Sequence, residues 1–442
     1  MNNKPVFIFE SSLFVRAGYG DWSMALAKSL LRYNKIHNDK YDIKIVPTRW
    51  GACPSKHSID ELKDDEEREL FTMILKQQLQ KIPEVYMKVS ISNEFKKMGK
   101  FNIGASAFVE VTIPPTEFIE GVNNMDAVFT MSKFSKDVME KAAFNKKFQD
   151  GHTEPLKVNK SIDIVPWGVN TNIFKKTDET INSIDNIMSK IHEEHCFLFC
   201  GQWTHGNGLY IDRKDIGMLI KTFLSTFKNE KIKPALILKT SGVNFSKIDK
   251  ADILNKIHLI KQDVGDIGLP EVYLIHGELS DSELNALYNH KKVKAHINFT
   301  HGESWGMSLL QASLSGKPIL ATNWGGHLDY LNKDNCNLLD AEIKQISGGS
   351  VNDYYMKESS WAYVNYDQAG RKMKGLLDPD IYEKLLVKAD NLRIENEQKF
   401  SLQAMDNEFH AFLDKIPEFA MESKIVLPKL TKIQLPQLKK IE

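Results

Sequence analysis

Apolar residues recur along the chain in two rhythms. Short dense runs, PVFIFE at 5–10, DIKIVPT at 42–48, FNIGASAF at 101–108, DAVFTMS at 126–132 and SIDIVPWG at 161–168, read as strands. DWSMALAKSLLRY at 21–33 and FSKDVMEKAAF at 134–144 carry apolar positions at helical spacing. Then the rhythm stops. NTNIFKKTDETINSIDNIMSKIHEE, 170–194, is polar, shows no strand and reads as a link. A second series follows: CFLFCGQW at 196–203, PALILKT at 234–240, EVYLIHG at 271–277, KAHINFT at 294–300 and PILATNW at 318–324 as strands, with IGMLIKTFLSTF, SELNALY and MSLLQASLS as helices. SLQAMDNEFHAFLDKI at 401–416 is one more amphipathic helix, before a Pro-broken basic end at 425–442.

Strand–helix alternation predicts an α/β fold with a parallel sheet covered on both faces. Two such series predict two Rossmann-like doubly wound domains, 1–175 and 176–400, with 401–442 as a helix returning to the first domain and a basic tail. The cleft between the strands' carboxyl ends is the expected ligand site.

Composition changes this picture little. The 442 residues are 42% apolar and 26% charged, and 58 Lys+Arg balance 58 Asp+Glu. That balance disfavours a partner recognised by net charge, although short basic segments (146–160 and the end) leave a polyanion such as DNA open. Four cysteines in so long a chain do not make a disulfide framework. The N-terminus lacks a signal-peptide pattern and no run is long enough to span a membrane, so a cytoplasmic protein is expected.

The chemistry concentrates in FTHGESWGMSLLQASLSGKPILATNWGG, 299–326. Gly302 and Gly306 permit close approach of a ligand, and the amides opening the next helix favour an anion, a diphosphate above all. Glu303 can accept hydrogen bonds from ligand hydroxyls, and Gln311 comes about two helical turns later. The plainer alternative is a capped helix whose Glu offsets the dipole. Arg213 and Lys214 precede another amphipathic helix and can neutralise charge on a departing diphosphate; the alternative is a solvated pair of cations. VRAGYGDW, 15–22, is a glycine turn in which Gly18 and Gly20 allow close approach and Arg16 adds charge, or simply a tight turn. His192, His195, Cys196 and Cys200 lack metal-site spacing and would diverge on a strand, so no metal site is expected.

The stretch resembles the donor-site signature of family-four glycosyltransferases of the GT-B fold: Glu303, a glycine loop, seven intervening residues, then Gln311 where the family has a second Glu. DAVFTMSKFSK at 126–136, VPWGVNTNIF at 165–174, FLFCGQW at 197–203 with RKDIGMLIKTF, and VYLIHGELSDSELNALY at 272–288 are similar to further family segments in the same order. The resemblance implies retaining, metal-independent transfer from a nucleotide-diphospho-sugar, UDP- or GDP-linked, held by the second domain, to an acceptor hydroxyl held by the first. Glu303 would hold the donor sugar's hydroxyls. Ser304 and the loop amides of Trp305, Gly306 and Met307 would bind sugar and phosphate oxygens, and Gly201 and His276 would line the donor site. Gln311 would take the ribose, its lost charge weakening that contact by roughly 1 kcal/mol. Arg213 and Lys214 would meet the diphosphate. Arg16, Gly18, Gly20, Glu110, Asn323 and His327 would face the cleft and acceptor, with packing roles an equal alternative for the last two. Ala105, Ser106 and Ala107 stand where many relatives place a catalytic His; the resemblance implies that the leaving phosphate itself takes the acceptor proton. The acceptor is open: polysaccharide, lipid-linked glycan, protein, small molecule or a modified DNA base. An epimerase or phosphorylase of the same fold, or a non-catalytic sugar-nucleotide-binding protein, is the alternative.

Overall fold

The computed structural model describes residues 4–419 apart from Ala52, His57 and residues 148–149, 204–207 and 243–244. The basic end at 425–442 lies outside the described residues.

The first half contains β1 (Val6–Ser11), α1 (Gly18–Ile36), β2 (Asp42–Pro47), α2 (Asp65–Thr72), β3 (Val85–Val89), β4 (Phe101–Ala105), α3 (Thr116–Asn124), β5 (Ala127–Thr130), α4 (Lys133–Lys141), β6 (Ala143–Lys147), β7 (Thr153–Lys157) and β8 (Asp163–Ile164). Six of these strands form a sheet in the order β2-β1-β3-β4-β5-β8, every pair parallel. Phe7, Phe9, Val85, Met87 and Ile103 are fully enclosed, as expected of strands with both faces covered.

β3 occupies the middle of this sheet although its segment was not among the strand-like runs. A lysine interrupts its apolar pattern: Lys88 is buried and donates to Glu10 on β1 at 2.5 Å, so pairing removes the cost of burying a lone charge. The helix expected over 134–144 ends at Lys141, and 143–147 instead pair antiparallel with 153–157 as β6 and β7. Its exposed, largely polar strands carry no buried face to register as a period-two pattern.

The second half contains α5 (Asn182–Met188), β9 (Cys196–Gln202), α6 (Ile216–Phe227), β10 (Ala235–Ser241), α7 (Lys247–Val264), β11 (Val272–Ile275), α8 (Asp281–Asn289), β12 (Val293–Asn298), α9 (Met307–Ser313), β13 (Ile319–Thr322), β14 (Asn337–Leu339), β15 (Ala341–Gln345), β16 (Ser360–Val364), α10 (Tyr366–Gly375), α11 (Pro379–Lys399) and α12 (Leu402–Leu413). Its sheet runs β11-β10-β9-β12-β13-β14. The chain thus builds outward from β9 in one direction, then returns to add β12 on its other side. Two Rossmann-like α/β domains follow, as the alternation predicted. The polar link contains α5, which buries Ile184 and Met188.

The two halves touch where the chain crosses. Val169 N–H donates to Phe400 O at 2.8 Å and Leu402 N–H to Val169 O at 3.0 Å. A Cβ at Gly168 would lie 2.6 Å from Ser401 O, so a side chain is excluded there. Beyond the crossing, α12 returns to the first domain: Arg32 pairs with Asp406 at 2.7 Å, Tyr33 hydroxyl donates to Asp414 at 2.8 Å, and Phe412 packs on Phe129. No helix among the described residues is long and apolar enough to cross a membrane.

Candidate functional site

In an open parallel sheet, the strands on either side of the point where connectivity reverses send their following loops apart, leaving a crevice at their carboxyl ends. Here those strands are β9 and β12. The loop after β9 carries Arg213 and Lys214; the loop after β12 carries Gly302 to Gly306.

The two loops are tied together. His301 N–H donates to Arg213 O at 2.7 Å, and Thr300 hydroxyl to the same oxygen at 3.2 Å. Asp212 accepts from Ile216 N–H, and Asp215, in a left-handed backbone conformation (φ 51°), opens α6. That turn aims two consecutive cations at one carboxylate. Arg213 donates to Gly302 O at 2.6 Å and to Glu303 at 3.1 Å, and Lys214 donates to the other Glu303 oxygen. The solvated-pair alternative is therefore wrong: the Lys214 side chain is only 13% exposed and that of Arg213 24%. Both point inward because Glu303, itself buried, supplies the compensating charge.

Burial alone would raise the Glu303 carboxyl, but Lys214 and Arg213 outweigh it and hold it down to about 2. Glu303 is thus ionised at neutral pH. Burial and neighbouring Arg213 pull Lys214 down, with Glu303 acting against them. Burial also lowers Arg213, yet Glu110 and Glu303 together leave it well above its ordinary value. Glu110 reaches this group from the first domain, 3.8 Å from Arg213, and accepts a 2.9 Å hydrogen bond from Tyr355.

The glycines of the quoted stretch have distinct reasons. A Cβ on Gly302 would lie 2.3 Å from Glu110 O, so the domains meet backbone to backbone there. On Gly326 it would lie 2.0 Å from Ser304 O, and Gly326 N–H donates to Glu303 O at 2.6 Å. The second glycine turn therefore fixes the loop that bears Glu303. Gly306 has φ 85°, a conformation that favours glycine. Tyr330 hydroxyl lies 2.8 Å from Trp305 O and 2.6 Å from Gly306 O. Because peptide units are planar and trans, the amides of Gly306 and Met307 point away from that hydroxyl. Trp305 is buried against Tyr330 and Phe400. Met307, Ser308 and Gln311 make the half-exposed stripe of α9, while Leu309, Leu310 and Ala312 face the core.

The remaining expected residues divide. His327 is buried, with Nε2 2.7 Å from Thr322 O and Nδ1 unpaired; burial lowers its pKa, the Thr322 contact and Glu303 opposing. Ser304 is likewise buried with an unpaired hydroxyl. Asn323 is exposed at the end of β13. Gly201 lies within β9, where a Cβ would meet the Phe199 ring at 2.8 Å. His276 pairs with Asp249 at 2.8 Å, a group separate from the Glu303 cluster. Arg16 makes two 2.7 Å bonds across the cleft to Glu278. Gly18 opens α1 in free space, whereas a Cβ on Gly20 would lie 1.9 Å from Val15 O, so Gly20 serves close packing of the turn.

Three groups had no sequence signal. Tyr355 reaches Glu110 across 245 positions. Tyr330 braces the loop carbonyls. Tyr19 hydroxyl accepts from Ala107 N–H at 2.9 Å and lies 3.3 Å from Ser106 hydroxyl, bracing the end of β4 where no His stands.

Residues 256–346 match the family described as Glycosyl transferases group 1. That span includes Glu303 and Gln311 but neither Arg213 nor Lys214. No curated protein sequence matches the chain. Similar solved structures include a glycosyltransferase from Rickettsia africae, 14% identical, covering 94% of this chain and 99% of that one with a TM-score of 0.58. Anabaena HepE, solved with UDP and glucose, is 11% identical over 93% of this chain and 99% of its own, TM-score 0.55. Sucrose-phosphate synthase from Thermosynechococcus elongatus is 11% identical over the same shares, TM-score 0.58. At such identities the likeness is one of fold, the GT-B pair of Rossmann-like domains. With the matched segment, it supports a glycosyltransferase.

Proposed function

We propose that this protein transfers a glycosyl group from a nucleotide-diphospho-sugar, UDP- or GDP-linked, to an acceptor hydroxyl, with retention of configuration, without a metal and in the cytoplasm. The observation that carries the reading is the convergence of Arg213 and Lys214 on Glu303 at the carboxyl ends of β9 and β12.

In this reading the diphosphate takes up the two cations, whose charge then stabilises the leaving group as the glycosidic bond breaks. Glu303, ionised and fixed by Gly326, accepts hydrogen bonds from the sugar's hydroxyls. Gln311, on the open stripe of α9, faces the ribose with its amide. The first domain presents the acceptor beside Glu110, and the departing phosphate takes its proton. The contact of Glu110 with Gly302 closes one side of the cleft, which limits competing water. A polysaccharide, lipid-linked glycan, protein, small molecule or hydroxyl-bearing modified DNA base each presents the required hydroxyl.

A thermal-shift screen of UDP- and GDP-sugars tests the donor. One donor at a hundredfold excess over its dissociation constant should stabilise the protein by about 2.7 kcal/mol. Lys214→Ala should abolish that shift. Release of free nucleotide without any glycosylated product would replace transfer by hydrolysis or binding, and no shift with any donor would remove the reading.

A further inference from the structure

A cavity lies away from the Arg213–Glu303 group and shares no residue with it. It is an open cleft of about 740 Å³, bounded by Tyr210, the β15–β16 hairpin and the start of α10. Three tyrosines form its walls. The ring centroid of Tyr210 is 6.4 Å from that of Tyr363 and 6.0 Å from that of Tyr366, the planes inclined by 53° and 58°.

Two of these rings are held from behind. Tyr366 packs on Phe299 and donates to buried Asp215 at 2.6 Å. Tyr363 packs on His301, which is stacked on Trp361. Tyr210 is 40% exposed. Rigid, partly exposed aromatic faces offer large contact area at little cost in side-chain entropy.

The polar rim restricts the occupant. It carries Asp340, Glu342, Asp367, Asn365 and one cation, Lys344. Three carboxylates against one ammonium disfavour a nucleotide or any other polyphosphate. A cation is the competing occupant. Glu342 is already paired with Lys344 at 2.8 Å, and Asp340 accepts from Gln368 at 2.5 Å. The rim thus offers mainly carboxylate and amide oxygens that accept hydrogen bonds, above apolar ring faces. A ligand that donates several hydroxyls from a flat apolar ring body matches both features.

We propose that this cleft is a second carbohydrate subsite, which holds a neutral oligosaccharide by stacking on Tyr210, Tyr363 and Tyr366 and by hydroxyl donation to Asp340, Asn365 and Asp367. It deepens the transferase reading: a glycan bound here is anchored to the donor-holding domain outside the transfer cleft.

The test is saturation-transfer NMR on the full chain with gluco-, galacto- and manno-configured tetrasaccharides, with spermine as a cationic control. Tyr210→Gly is the main variant. It removes a wall ring while relieving a bulky residue at φ 66°, so glycine there does not threaten folding. Asp367→Asn is the second variant. The expected result is saturation transfer to at least one tetrasaccharide, weakened tenfold or more by Tyr210→Gly and measurably by Asp367→Asn. No transfer to any tetrasaccharide, binding of spermine alone, or binding unchanged by Tyr210→Gly each overturns the subsite. Titration with UDP- and GDP-sugars is run alongside. Donor binding that persists in Tyr210→Gly, without oligosaccharide binding in the wild type, rejects the subsite and leaves the transferase reading standing.

Discussion

The guanidinium of Arg213 lies 3.1 Å from the carboxylate of Glu303 in its own domain and 3.8 Å from that of Glu110 in the other. With Lys214 on the second Glu303 oxygen, one buried carboxylate holds two cations on one side of the cleft. Removing that carboxylate leaves Lys214 uncompensated and Arg213 with Glu110 alone. Glu303→Gln should therefore destabilise the fold by about 3–5 kcal/mol, the usual cost of breaking a buried pair. Urea unfolding followed by tryptophan fluorescence reads it. A loss below 1 kcal/mol would mean that water already screens the group.

Tyr355 should matter less to the fold than to the cleft. Its hydroxyl is one hydrogen bond to Glu110, so Tyr355→Phe should cost about 1 kcal/mol of stability. Freed from it, Glu110 gains rotamers that compete less well for Arg213. Donor affinity in calorimetry should then shift while Lys214→Ala still abolishes it.

Glycine substitutions separate close packing from open turns. Gly326→Ala forces a methyl against Ser304 O and should cost about 1–3 kcal/mol, with loss of donor binding because the Glu303 loop moves. Gly18→Ala, in open space at the start of α1, should stabilise by about 0.4–1 kcal/mol through the unfolded state. Melting temperatures of the two variants should move in opposite directions.

Asp212 sets a pH dependence. Burial raises its carboxyl to about 6, against the Ile216 amide and Arg213. Between pH 4 and 6 the folded state keeps a proton that the unfolded state has lost, so this residue's contribution falls as pH rises and is flat above. The stability of Asp212→Asn relative to wild type should thus improve from pH 4 to pH 7, by on the order of 2 kcal/mol. Paired urea titrations at the two pH values measure it. A difference that does not change with pH would show that Asp212 titrates normally.

Much of this was legible in the chain. Most parallel strands of both sheets announced themselves because burial on two faces demands continuous apolar runs; β14, three residues long, is too short to show one. β3 was hidden by Lys88, whose partner Glu10 is 78 positions away. The hairpin β6–β7 lacked a buried face to give it a period, and in β15–β16 only β16 is buried, at Trp361, Ala362 and Val364, without a period-two alternation. At the site, Glu303 and its glycines were readable since a loop and the helix after it are local. The inward turn of Arg213 and Lys214 was not, because it depends on a carboxylate 90 and 89 positions away. The roles of Tyr330 and Tyr355 are tertiary facts with no local spacing.

The most direct measurement is a crystal structure of the protein with the donor, or the nucleoside diphosphate, that gives the largest thermal shift. The account predicts phosphate oxygens within hydrogen-bonding distance of both Lys214 and Arg213, with the sugar hydroxyls on Glu303. A nucleotide bound elsewhere, with the Arg213–Lys214–Glu303 cluster intact and untouched, would contradict it.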